Sequence, residues 1–351
     1  MAANIFTGAT NSNWGTATNW SLGTVPTPID THTATFNATS PNCTVNSVNR
    51  SCNNIDFTGY TNTITMTFSI TVSGNVTLVS TMASRVSGTS GLIINSASTI
   101  TSNGGTWNNS LSFGGSSNYF ITLADDLNVL GSLTTINNAG VGFNGTFNIN
   151  VTGGISIANG GVLGGYIGTG TPTLNILGGT ISTTGTGVIR INTNIKANCT
   201  ISGVFNYNTG ILTRLSGIVT TTGSTLTIGA NTTLINFHKV NFSNITVTAG
   251  VTLTMNEFFC GKYEVKTKVR STGGNYNIAF TNTVQKKAFN INVKNCTVQR
   301  NQLNIINRDG NGGNNSGILF GENGMNGFPL NMFPSELSYP TANGLLTNMN
   351  N

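Results

Sequence analysis

Along most of the chain, apolar and small polar residues alternate in short runs. Thr225-Leu226-Thr227-Ile228 and Thr252-Leu253-Thr254-Met255 are two of the clearest. A period of two places successive side chains on opposite faces of a strand, so each run predicts a short strand with one buried face. Apolar spacing of three and four, the mark of an amphipathic helix, is almost absent, and Asn, Thr, Ser and Gly are poor helix formers. The pattern predicts an all-β chain.

The runs also repeat. Thr152-Gly153-Gly154-Ile155, Leu177-Gly178-Gly179-Thr180-Ile181 and Ser202-Gly203-Val204 share a small-Gly-β-branched signature, with glycines at 153, 178 and 203, a spacing of 25. Val72-Ser73-Gly74-Asn75-Val76 and Thr248-Ala249-Gly250-Val251 are related but out of phase. Three strands of about five residues, joined by turns of about two to four, make a coil of about 21–27 residues. The prediction is therefore a β-solenoid (parallel β-helix) over residues 61–256: about eight coils, a rod on the order of 38 Å high. Ile, Val and Leu stack inside, while Thr, Asn and Ser face water. Glycine serves corners that exclude a Cβ, and Asn amides ladder between coils.

A stack of coils has two open ends, which natural proteins cover. Residues 1–60 hold Trp14, Trp20, Pro26, Asp30 and Phe36 and read as an N-terminal cap or attachment module. Residues 257–310 gain charge and lose glycine regularity, which predicts a distinct C-terminal β region. Residues 311–351 are rich in Gly, Asn, Pro and Met and read as an extended tail packing on a neighbouring subunit or on the solenoid.

Charge changes the picture at one end only. Of 351 residues just 7% are charged, and the first 189 hold six such side chains. Residues 239–308 hold ten basic and two acidic ones. Lys262, Lys266, Lys268, Arg270, Lys286 and Lys287 form a candidate patch for an anionic partner. A solvated face is the plainer reading. No aromatic-Arg interleaving is present, so nucleic acid is not expected. The five cysteines show no metal spacing. Cys43 and Cys52 are near enough in sequence to meet on adjacent strands, but the odd count favours free buried thiols. The first residues lack a basic and an apolar leader region, which predicts folding inside the producing cell or exit from it without a leader. Asn-x-Ser/Thr triplets, as at Asn75, Asn231 and Asn244, follow from composition. No apolar run reaches the ~20 residues of a spanning helix.

The segment 13–36 resembles an opening module found before β-helical regions in phage structural proteins and bacterial surface adhesins. Trp14, Trp20, Ser21, Gly23, Pro26, Asp30 and Phe36 carry the likeness. Residues 55–61 and 72–78 are similar to the first coils of phage tail-fibre, tailspike and other virion proteins. The resemblance implies a structural virion protein (fibre, spike or capsid decoration) adhering to host surface glycans. Its expected partners are other virion proteins and further copies of itself, a trimer being one such homo-oligomer. The virion, assembled in host cytoplasm, is the implied location. A polysaccharide depolymerase tailspike and an exported, cell-surface adhesin or filament subunit are the alternatives.

Candidate chemistry is sparse. Glycoside hydrolysis needs two carboxylates across one cleft, and the only adjacent acids, Asp125-Asp126, fit a coil corner. His32 and His238 lack a nucleophile pattern. Asp309-Gly310-Asn311-Gly312 lacks the closing Glu of a calcium loop. Cys260 has only Lys262 as a nearby cation. No enzyme activity, cofactor or metal is expected.

Overall fold

A computed structural model shows why the runs are so short: each strand is one side of a coil, most only two to four residues long. It describes residues 2–115, 117–136, 138–164, 172–207, 211–214, 219–237, 242–256, 267–271, 273–281, 286–289, 291–298, 303–306, 315 and 318–321. The strands pair in parallel with the coil above and below, as in a β-solenoid of about 10 turns.

Three faces run along the stack. On one, Ile70, Leu92, Leu111, Leu133, Ile155, Ile181 and Ile201 form a single inward column of Cα partners, all buried. On the second, Leu127, Ile149, Leu174, Thr193, Leu212, Leu234 and Met255 do the same. The inward Thr193 is satisfied by donating to the Ile191 carbonyl at 2.9 Å, so its burial leaves no orphan hydroxyl. On the outer side of this face the expected amide ladder exists. Asn150 donates to Asn128 at 2.8 Å, Asn175 to Asn150 at 2.7 Å and Asn194 to Asn175 at 3.2 Å.

The coil length is not fixed at 25. The first column steps by 22, 19, 22, 22, 26 and 20 residues, because corners absorb insertions that three-residue strands cannot. Nor do the glycines at 153, 178 and 203 stack. Gly153 lies between Gly131 below and Gly179 above: a Cβ on it would sit 2.5 Å from the Gly131 carbonyl carbon. Gly203 falls inside strand Cys199–Tyr207, where the register shifts between Ser202 and Val204.

That strand also changes the cross-section. In earlier coils a turn such as Ala158-Asn159-Gly160-Gly161 separates the first column's face from the third. Between Ile201 and Phe205 only Ser-Gly-Val remains, too little for a corner. The chain instead runs straight across both faces, pairing with Thr180 and Ile181 at one end and Ile189 at the other. The 10-residue strand Val219–Ile228 repeats this arrangement.

The ladder runs through both boundaries expected from composition. Ala3–Ile5 pairs with Thr33–Thr35, which pairs with Asn54–Asp56, so residues before 60 already form rungs. Asn244–Val247 pairs with Thr267–Arg270, and that with Ile291–Lys294. Leu303–Ile306 pairs with Ile318–Gly321, inside the segment read as tail, while residues 322–351 lie outside the described residues. No helix among the described residues is long and apolar enough to cross a membrane.

Candidate functional site: the N-terminal cap and a basic outer face

The first strand, Ala3–Ile5, would present an open edge at the base of the stack. Residues 19–24 lie along it. Ser21 N–H donates to the Ile5 carbonyl at 2.8 Å, and Thr7 N–H to the Asn19 carbonyl at 2.7 Å. The Asn4 side chain accepts from Leu22 N–H at 3.1 Å and donates to the Thr24 carbonyl at 2.9 Å. On the second face, Trp14 N–H donates to the Thr44 carbonyl at 2.9 Å and Thr44 N–H to Ser12 at 2.7 Å, covering the edge of Cys43–Val45. On the first column's face, where Arg50 is the Cα partner of Ile70, its guanidinium lies against Gly15, and a Cβ there would meet it at 1.9 Å.

Aromatic packing holds these segments down. Phe36 sits at the centre, with ring centroids 5.5 Å from Phe6, 5.5 Å from Trp14, 5.8 Å from Trp20, 5.1 Å from Phe57 and 5.3 Å from Tyr60. The Trp20 indole N–H donates to the Trp14 carbonyl at 2.8 Å. Asn19, buried, organises the loop: its oxygen accepts from Thr10 and Asn11 N–H, and its nitrogen donates to Asn11 Oδ1 and the Asn13 carbonyl. The composition reading missed Asn19 and Phe6, and no apolar–polar alternation marks either: of Asn4-Ile5-Phe6, the polar Asn4 and Phe6 are buried and Ile5 is half-buried.

Trp14, Trp20, Pro26 and Phe36 are all buried, so within this chain they form the cap's interior rather than an outer contact surface. Asp30 is half-buried and accepts Thr27 N–H at 2.7 Å, pinning the proline turn. What the module offers to solvent is apolar of another kind: Leu22 is 44% exposed and Ile29 92%.

At the other end, Lys268 and Arg270 alternate with buried Thr267 and Val269 and both face outward. Lys294, which the sequence reading passed over, is exposed and is the direct Cα partner of Arg270. Arg270 donates to Asn292 Oδ1 at 3.1 Å, which orients its guanidinium fork. Lys286 and Lys287 open strand Lys286–Phe289, whose backbone alone is described; Lys262 and Lys266 lie outside the described residues.

The described aspartates each serve a turn. Asp125 Oδ1 accepts Ser102 N–H and Asp126 Oδ1 accepts Asn148 N–H, both at 2.7 Å, so the adjacent pair anchors coil corners on either side. Asp56 accepts both the N–H and the hydroxyl of Thr58. His32 is half-buried; His238, Cys260 and the loop at 309–312 lie outside the described residues. Cys43, Cys52, Cys199 and Cys296 are free and buried. Burial pushes the Cys199 thiol up to about 11 and Cys296 up to about 12, and raises Cys43 and Cys52 as well. Thiols held protonated at neutral pH are poor nucleophiles, so these four act as small core residues.

The geometry is thus a capped rod with one charged flank. Neither a family model, nor a curated protein, nor a solved structure matches the chain.

Proposed function

We propose that this chain is a non-enzymatic structural protein of a virion, a fibre, spike or capsid decoration, that adheres to host surface glycans through its outer faces. The observation that supports the reading most is the parallel ladder running from Ala3–Ile5 to Ile291–Lys294 over a base closed by its own first residues. Such a body gives reach and stiffness, since each coil is hydrogen-bonded to the next along the long axis. Its outward columns of Thr, Ser and Asn offer donors and acceptors suited to sugar hydroxyls. Single contacts of this kind are weak, and many copies on one particle supply avidity. Self-association into a homo-oligomer and contact with other virion proteins belong to the same reading. The turn-capping roles of Asp30, Asp56, Asp125 and Asp126 favour it over a depolymerase, because those carboxylates are already committed to backbone N–H groups.

Mass spectrometry of purified particles and of particle-free culture supernatant tests the proposal. Peptides of this chain should appear in the particles at the level of a structural component. Recovery only from the supernatant or the cell surface would favour the exported adhesin instead. Sustained release of reducing ends from a capsular polysaccharide would overturn the non-enzymatic part.

A further inference from the structure

We propose that the outer face carrying Lys268, Arg270 and Lys294 binds an anionic polysaccharide, a uronate- or sulfate-bearing chain lying across adjacent rungs. The inference rests on the adhesive reading above and gives it a ligand class.

Placement singles these three side chains out. In a chain with only 15 basic residues, three stand on neighbouring positions of one sheet face. Lys268 and Arg270 are two residues apart on one strand, hence about 6.6 Å apart along it, and Lys294 stands one rung away from Arg270, about 4.8 Å. Like charges placed directly opposite one another on a sheet destabilise it. The fold does not require them, because the same outward column carries Thr227 and Thr246 in the coils before. A bound polyanion offsets the repulsion and turns the cluster into a site.

The surroundings of the cations suit the same ligand. The two outward columns are Thr225, Asn244, Lys268, Asn292 and Thr227, Thr246, Arg270, Lys294. Amides and hydroxyls therefore flank the cations and can meet sugar hydroxyls, while Asn292 already holds the Arg270 guanidinium in place. An oriented guanidinium presents two parallel donors to a carboxylate or sulfate. Neither column contains an aromatic ring on which a nucleobase would stack, nor a large apolar side chain to enter a lipid surface. Strands at 4.8 Å spacing also match an extended, repeating ligand better than a compact one.

The test uses the full chain and four immobilised probes: heparin, polygalacturonate, neutral dextran and a single-stranded oligonucleotide. Wild type should hold both anionic polysaccharides, more weakly as salt rises, and should not hold dextran by this face. Replacing all three cations, as K268Q, R270Q and K294Q together, should weaken polysaccharide binding by at least roughly tenfold with an unchanged melting temperature. A charge-matched control, R85Q with R190Q and K196Q, should bind like wild type. Equal binding by wild type and the first variant, or no binding by wild type, overturns the site. Tighter capture of the oligonucleotide than of either polysaccharide overturns the ligand class. Those failures leave the adhesive reading intact if particles retain the chain and neutral glycans still bind it; loss of both sinks that reading as well.

Discussion

Phe36→Ala should remove about 3–5 kcal/mol of stability and unravel the base of the rod without melting its middle. Phe36 is buried at the meeting point of Phe6, Trp14, Trp20, Phe57 and Tyr60. Truncation removes the ring that joins the covering segments 12–14 and 19–24 to the first coils. In a stack where each coil touches only its neighbours, the damage stays local. In a W107F background, where indole fluorescence reports Trp14 and Trp20 alone, urea unfolding by that signal should therefore shift well below the transition seen by circular dichroism. Limited proteolysis should cut within the first coils while the fragment beyond them persists. The exposed edge of Ala3–Ile5 should also promote association, visible by light scattering. Coincident transitions at the wild-type midpoint would show that the aromatic cluster does not hold the end closed.

Gly153→Ala should cost about 3 kcal/mol, the upper part of the overpacking range. The new Cβ would lie 2.5 Å from the Gly131 carbonyl carbon, 2.7 Å from its oxygen and 2.8 Å from Ser132 nitrogen. These are backbone atoms of the coil below, themselves fixed by the ladder, so no side chain can swing aside. Gly104→Ala is the informative comparison: its φ is +70° but nothing lies within 4 Å of the new methyl. That substitution meets only left-handed backbone strain, about 1–2 kcal/mol. Urea midpoints of the two variants should differ clearly and in this order. Equal costs would mean that the coils are not packed backbone on backbone at Gly153.

The sequence made the cross-section of a coil legible but not the register between coils. Leu226, Ile228, Leu253 and Met255 are buried, and the threonines between them half-exposed, as alternation alone predicts. The ladder of Asn128, Asn150, Asn175 and Asn194 follows from the same logic. Register failed because a three-residue strand tolerates any corner length: the 25-residue glycine spacing joins a corner glycine to one inside a strand. The fusion of two faces at Cys199–Tyr207 was readable only as a missing turn between Ile201 and Phe205. At the base, the aromatic cluster announced a module. The direction of its rings did not show, because residues 7–32 carry no period and their order comes from Asn19 and other side chains bonding the backbone. Lys294 escaped because Ile291-Asn292-Val293-Lys294 repeats Thr267-Lys268-Val269-Arg270 only once the 24-residue coil between them is known.

Coil-over-coil stacking holds the rod together, and a density map of the purified chain examines it most directly. Rungs about 4.8 Å apart should climb the particle axis, with Leu111, Leu133 and Ile155 in one vertical column. Antiparallel sheets packed face to face about 10 Å apart, with those three residues in separate layers, would contradict it.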